Sequence, residues 1–396
     1  MNDFEKQKKS LEFVKQKFKD YYKKNNVILP DRFIRREYAF VFVGGKGMIR
    51  HLGFSKKNEI FNYIKENSPA HSYYSSAYYK YPDAAKMQDK DWMGAELIFD
   101  LDSDHLPNAE KMSYEKQLDA VKKEFITLVN DFLIDDFGFD KKYLELYFSG
   151  GRGYHCHVKD PKIFSLDSNE RREIVDYITG RDLRDSLIFQ EHVTETKKYG
   201  EKVYPSGKKL TMPPPESPGW KGRISRGIIE IINEIIESDN AYEKLKEYGV
   251  KEKDAEKLLN DLSGERVKRI KEGNLDQTNT IRKFFLINSL RKTAVYISAG
   301  ETDEPVTCDI KRLIRLPGSL HGKTGFKVEK IDIEDLNHYN PLESTVVLSD
   351  KNIDIDLKKD FSINLRSEEF KLKKGICTIP EYLAVFLIGR KIAYIK

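Results

Sequence analysis

The stretch Glu96-Leu97-Ile98-Phe99-Asp100-Leu101-Asp102 limits what this chain can fold into more than any other. Its apolar, β-favouring residues read as a buried strand, and successive side chains of a strand face opposite sides. Asp100 and Asp102 therefore project from one face while Phe99 and Leu101 enter the layer behind. Carboxylates about 7 Å apart at the end of an apolar strand repel and lose hydration unless a cation sits between them. Hard oxygen donors of this kind suit Mg²⁺ or Mn²⁺. The same residues also read as a strand running out into the polar loop Ser103-Asp104-His105, with no ligand at all. Burying such a strand needs a real core. A 396-residue chain with 39% hydrophobic residues, 22 Tyr and 22 Phe has the material for one large or two ordinary domains.

Charge settles less. The 69 basic and 64 acidic residues leave a net +5, which a local basic cleft would explain as well as general nucleic-acid binding. Cys156, Cys308 and Cys377 are odd in number and far apart, so they offer neither a disulfide framework nor a C-x-x-C knuckle. No apolar run approaches the roughly 18–20 residues that span a bilayer, and Met1-Asn2-Asp3-Phe4-Glu5-Lys6 does not start a secretory signal. The expectation is a cytoplasmic protein in a reducing compartment, without membrane association.

Periodicity outlines the rest. Phe4, Leu11, Val14, Phe18 and Tyr21 recur at helical spacing, and residues 1–24 hold 8 Lys against 4 acids. Strands are expected near Tyr38–Val43, Glu96–Asp102, Tyr143–Phe148, Tyr154–Val158 and Phe326–Ile331, with a helix over Tyr114–Phe137. Five of 14 prolines fall between Pro205 and Pro218, predicting an exposed loop or arm. Beyond it Ile228, Ile229, Ile231, Ile232, Ile235 and Ile236 draw a helical stripe, and Gly375–Lys396 reads as a strand then a helix from about Pro380. The expected fold is α/β (α+β), with mixed β-sheets flanked by helices. A mostly helical insertion over residues 185–285 separates a first part, 1–184, from a second, 286–396.

Two further stretches carry chemistry. In Tyr147-Phe148-Ser149-Gly150-Gly151-Arg152-Gly153-Tyr154-His155-Cys156-His157, three glycines around one Arg permit close backbone approach to an anion. Ser149, Arg152 and His155 add side-chain donors; the bland alternative is a glycine-rich connection with one solvated Arg. Later, Lys311, Arg312, Arg315, His321 and Lys323 fall within 13 positions, flanked by turn glycines, a density suited to a polyphosphate. Asp303 and Asp309 are both candidate acids beside that run. Asp309 follows Thr307, a plausible N-cap, and so could serve only a helix N-terminus; Asp303 sits in a loop without such a role.

Together these stretches resemble the small, catalytic subunit of the archaeal and eukaryotic type of DNA primase. That family has a D-x-D after an apolar strand, then S-G-x-R-G-x-H, then a late acid before R-L-I-R-x-P-x-S-x-H-G-K-x-G. Arg36-Glu37-Tyr38, Met48-Ile49-Arg50-His51 and Met87 to Trp92 leading into Gly94-Ala95-Glu96-Leu97 match its early elements, in order from about residue 30 to 330. The resemblance implies a primase-type catalytic domain in which Asp100, Asp102 and Asp303 are the catalytic, metal-binding carboxylates. The family's third aspartate stands eighteen positions before the H-G-K histidine, which selects Asp303 over Asp309. Ser149, Arg152 and His155, with Arg315, His321 and Lys323, would hold the triphosphate, and Arg50 and Glu37 would lie near nucleotide or metals. Two Mg²⁺ or Mn²⁺ ions, a large primase subunit as heterodimer partner, a single-stranded DNA template and NTP or dNTP substrates are implied likewise. The implied activity is template-dependent, de novo synthesis of short RNA primers, with DNA as a further product.

The chain also departs from that pattern. Many relatives carry a Cys/His zinc knuckle between D-x-D and S-G-x-R-G, but here the interval holds only His105, so no structural zinc is expected. His157 stands where Trp is frequent, which leaves its role open. Competing classes are a primase-polymerase acting in repair, a two-metal nuclease, and a non-catalytic single-strand-binding module. A nuclease needs clustered acids but no triphosphate seat. A binding module predicts salt-sensitive binding indifferent to divalent metal.

Overall fold

The computed structural model describes residues 2–106, 109–262, 264–275, 279–293 and 306–396. The chain divides into two units, Met1–Ile134 with Gly138–Val175 and Tyr296–Lys396, and Asp135–Phe137 with Asp176–Val295. The expected class holds, as an α+β arrangement of several small sheets. Strand pairs among the described residues are antiparallel.

Two four-stranded sheets dominate the first unit. One runs Leu313–Arg315, His71–Ser75, Tyr38–Val41, Met48–Leu52; the other Glu329–Ile331, Leu144–Phe148, Gly153–Val158, Leu97–Asp102. The acidic strand is thus a sheet edge, paired with Gly153–Val158 from Leu97↔Val158 to Asp102↔Gly153. Its alternation survives: Phe99 and Leu101 are buried, while Asp100 and Asp102 are half-buried on the opposite face.

The sheets share a polar interior. Arg36, fully buried, donates to the Ser75 carbonyl at 2.8 Å, the Ser76 carbonyl at 3.2 Å and the Tyr78 hydroxyl at 3.0 Å, and pairs with buried Glu96. Glu96 also accepts from Tyr78 Oη at 3.0 Å and His157 Nδ1 at 3.1 Å. Lys159 joins Glu145 and Asp31 at the rim of this network. Both oxygens of Glu96 that burial strips of water thereby gain a protein donor.

Several elements differ from the expected ones. The N-terminal helix Asp3–Lys24, closed by an Asn2/Glu5 capping box, buries Val14, Phe18 and Tyr21 but leaves Phe4 and Leu11 exposed. Ser10 and Tyr22 turn inward instead, because Ser10 Oγ accepts from Ile395 N and Tyr22 Oη from Leu320 N, both at 3.0 Å. Hydrogen-bond partners, not apolarity alone, choose its inner face. The helix from Tyr114 is α-helical to Thr127 and widens into π-helical turns over Leu128–Asp136. After Gly375–Pro380 and the helix Glu381–Gly389 comes a strand absent from the sequence reading, Ala393–Ile395, which pairs with Asn352–Leu357.

In the second unit the expected loop is partly a hairpin, Gln190–Tyr199 with Lys202–Thr211. Pro205 is accommodated where the register slips between Pro205 and Gly207, since a bulge spares the missing N–H. The isoleucine stripe lies on the helix Gly219–Ile236, with Ile228, Ile231, Ile232 and Ile235 buried and Ile236 exposed.

Removing one partner of the central ion pair strands a charge in the interior. Arg36→Ala is expected to cost about 3–5 kcal/mol in urea unfolding, far more than the double change Arg36→Met/Glu96→Gln. Burial alone would raise the Glu96 carboxyl, yet Arg36, His157 and Lys159 outweigh it and hold it well below its usual value. Glu145 is likewise brought from 4.5 to about 2, with Lys159 prevailing over burial. Because both folded-state values are depressed, their stabilisation is complete above pH 4.5 and is lost as pH falls toward 2. Melting temperature against pH should bend downward in that window, and less so for Glu96→Gln.

Candidate active site

The glycine turn sets the geometry. Gly150 has φ +76°, and a β-carbon there would lie 2.8 Å from His321 Cβ. At Gly153 a β-carbon would lie 2.1 Å from the Leu101 carbonyl, so only glycine lets this strand close onto the acidic one opposite Asp102. Ser149 Oγ accepts from Gly151 N at 3.1 Å and Gly153 N at 3.3 Å. Its own proton is left to donate elsewhere.

Asp100 pairs with His155 Nε2 at 3.2 Å, across the register Asp100↔His155. Burial pushes Asp100 up, but His155, Arg312 and Arg315 more than offset it, so its carboxyl titrates below the usual value. Asp102 behaves oppositely. Burial holds it above the usual value despite Arg152, whose guanidinium lies 3.7 Å away and bonds Asp104 more closely.

The strand Leu313–Arg315 brings Arg315 to the same place. Arg315 is held by neutral partners, His71 Nδ1 and the face of Tyr73 at 4.7 Å. His71 Nδ1 also accepts from Gly322 N at 3.2 Å, and burial with Arg315 and Lys323 lowers its pKa to about 3. His321 stands 4.9 Å from His71, ring to ring. Thr324 Oγ1 donates to the Gly150 carbonyl and lies 3.2 Å from His321 Nδ1. With its one proton committed, Thr324 can only accept from His321, so the neutral ring carries its proton on Nδ1. Burial, then Arg315 and His71, push His321 well below its usual value.

A cleft of about 680 Å³ collects Asp100, Asp102, Ser149, Arg152, His155, Arg315, His321 and Lys323. Arg50 and Glu37 do not line it. They bond each other, Nε to Oε1 at 3.1 Å, with buried Lys90 3.6 Å from the second Glu37 oxygen. Asp303 lies outside the described residues, as does the side chain of His105. His157 belongs to the Glu96 network. Thr307 lies inside the short 3-10 helix Val306–Cys308 and caps no helix at Asp309, so the expected place of Asp309 at a helix N-terminus does not hold: its carboxylate accepts from Lys311 N at 2.8 Å within a turn. Among the described residues no three His, Cys, Asp or Glu side chains gather as a metal-binding group.

The sequence reading missed His71 and three cations of the cleft wall, Lys359, Arg390 and Lys391. The basic doublet closing the last apolar helix was the available signal.

Comparison with known proteins bears on this arrangement. A family model described as DNA primase small subunit matches residues 99–332, from the acidic strand through the H-G-K turn. The chain belongs to that family. Proteins named DNA primase small subunit PriS resemble it over nearly their whole length. That of Methanosarcina acetivorans is 40% identical, covering 98% of this chain and 97% of its own. Those of Methanocella arvoryzae and Picrophilus torridus are 38% and 40% identical, covering 96% and 95% of both partners respectively. In this chain, then, the cleft is built largely from the matched span, with Lys359, Arg390 and Lys391 added from beyond it.

The steric role of Gly153 is directly testable. Gly153→Ala is expected to destabilise the chain by about 3 kcal/mol, as overpacking against rigid backbone does. The loss should appear in thermal unfolding, with faster hydrogen exchange at Leu101 and Asp102.

Proposed function

We propose that this chain is the catalytic subunit of a primase, a DNA-directed nucleotidyltransferase. It would start short RNA chains, and DNA chains where dNTPs are supplied, on single-stranded template without a pre-existing primer. The observation that carries this reading is the convergence of Asp100 and Asp102 with two cation-bearing turns in one cleft. Acids alone would suit a nuclease equally. The additional seat of Ser149, Arg152, Arg315, His321 and Lys323 suits a triphosphate.

The residues fit a divalent pair. Asp100 and Asp102 are hard oxygen donors on one strand face, and burial holds the Asp102 carboxyl above its usual value despite Arg152. By family resemblance Asp303 supplies the third carboxylate. Such ions lower the pKa of an attacking hydroxyl and neutralise charge on a departing pyrophosphate. The chain's own groups position the nucleotide. Arg152 offers a planar fork, Ser149 a hydroxyl whose proton is free to donate, and Arg315 a charge not spent on a carboxylate. In the transfer, the 3′-oxygen bonds to the α-phosphorus, the bond to the α–β bridging oxygen breaks, pyrophosphate leaves, and the hydroxyl proton passes to solvent. No protein nucleophile takes part; Cys156 and Cys308 are buried, and burial pushes the Cys156 thiol up.

A large primase subunit is the partner this reading implies. No helix among the described residues is long and apolar enough to cross a membrane, and the proposed setting is the cytoplasm.

The deciding assay uses unprimed single-stranded DNA with NTP and dNTP supplied separately. Asp100→Ala/Asp102→Ala should lower primer synthesis by roughly a thousandfold or more with unchanged melting. Near-wild-type synthesis by that variant would refute the assignment. Binding of free NTP in Mn²⁺ separates it from a nuclease.

A second test uses His321. Neutral before binding, it should take up a proton beside a triphosphate, because an anion favours the imidazolium. The bound-state pKa is then the raised one, so affinity for NTP should climb as pH falls from 8 to 6, by at most about tenfold per pH unit for one linked proton. His321→Asn should flatten that slope in calorimetric titrations.

A further inference from the structure

The last helix, Glu381–Gly389, ends against the H-G-K turn. It is buried from Glu381 to Ile388. A β-carbon on Gly389 would lie 2.6 Å from the Lys323 carbonyl, and one on Gly325 would lie 2.8 Å from Val385 Cγ1. The helix end is therefore seated on the backbone that carries His321 and Lys323.

Past Gly389 the chain makes a Schellman-type cap. Lys391 N donates to the Ile388 carbonyl and Ile392 N to the Leu387 carbonyl, each at 2.9 Å. Such a cap requires a left-handed residue, and glycine is its usual occupant. Here the residue is Lys391, with φ +62°. A β-carbon is disfavoured in that conformation, so lysine stands where folding alone would choose glycine. Strained backbone of this kind points toward function when the side chain reaches a site. Lys391 is among the residues that line the cleft, together with Arg390 and Lys359.

Electrostatics run the same way. The carbonyl end of a helix carries partial negative charge and repels an anion. Two cations immediately after this helix reverse that sign. Among the described residues none of Lys359, Arg390 and Lys391 forms an ion pair with a carboxylate. Arg390 instead packs over the Tyr114 ring at 5.0 Å. With Arg152, Arg315 and Lys323 they bring six cations to a cleft holding three carboxylates.

We propose that Lys359, Arg390 and Lys391 form a second wall of the polyphosphate seat, holding the β- and γ-phosphates of the incoming nucleotide until they leave as pyrophosphate. This rests on the reading that the cleft takes a nucleoside triphosphate. All three residues lie beyond the span matched by the family model.

The test is Lys391→Gly in the full chain, with Lys359→Ala beside it, titrated calorimetrically in Mn²⁺. Glycine relieves the backbone, so melting temperature should hold or rise. The Kd for NTP and for inorganic pyrophosphate should rise roughly tenfold, as loss of one charge-assisted contact implies. The Kd for nucleoside monophosphate should not change. Lys359→Ala should weaken the same two ligands without altering melting. Unchanged NTP and pyrophosphate affinities in both variants of a primer-making protein would overturn the second wall alone. A wild-type chain that binds pyrophosphate and NTP but makes no primer, with both variants weakened as expected, would leave the wall standing and remove the proposed function. A wild-type chain that binds neither ligand would remove both.

Discussion

The arrangement depends on a charge buried where no charge should be. Glu96 opens the acidic strand, fully enclosed, and Arg36 meets it from the neighbouring sheet. An interior ion pair of this sort adds little net stability, because desolvation consumes most of its attraction. Its effect here is on position. Arg171 grips the same point from another side, donating to the Ala95 carbonyl at 2.9 Å and the Glu96 carbonyl at 2.8 Å. With side chain and backbone both held, the strand cannot slide. A slip of one residue would turn Asp100 and Asp102 inward and put Phe99 and Leu101 in the cleft.

From that anchor the cleft follows by short links. Gly153 allows the two strands to touch at the acidic end, Ser149 ties the turn, and Thr324 joins the turn to His321. Neutral histidines are what let so many cations crowd together. His71 and His321, both kept uncharged by burial and by Arg315 and Lys323, sit among these cations without adding repulsion. The acids line the same cleft, the Asp100 carboxyl held below its usual value and that of Asp102 above it.

Local signals in the sequence were enough for much of this. Strand alternation located Asp100 and Asp102 on one face, and turn glycines located Ser149 and Arg152. What stayed hidden depends on distant partners. Ser10 and Tyr22 face inward because Ile395 and Leu320 present amides to them, which no spacing rule shows. Glu37 and Arg50 satisfy each other rather than the cleft. Lys359, Arg390 and Lys391 reach the site only because a buried helix near the chain's end is seated on the H-G-K turn. The hairpin at 190–211 was obscured by Pro205, whose missing donor a bulge renders harmless.

That hairpin has a consequence of its own. Gln190–Tyr199 is exposed along all ten residues, and Asn274–Leu275 borders its mate only at Leu210 and Thr211. An open ribbon of such length is an invitation to copy-on-copy sheet growth. The irregular register at Pro205–Gly207 and the lysines at 197, 198 and 202 act as gatekeepers against it. Colloidal behaviour at high concentration thus hangs on a few positions of the second unit, and smoothing that ribbon into a regular, uncharged one would open it to edge-to-edge association.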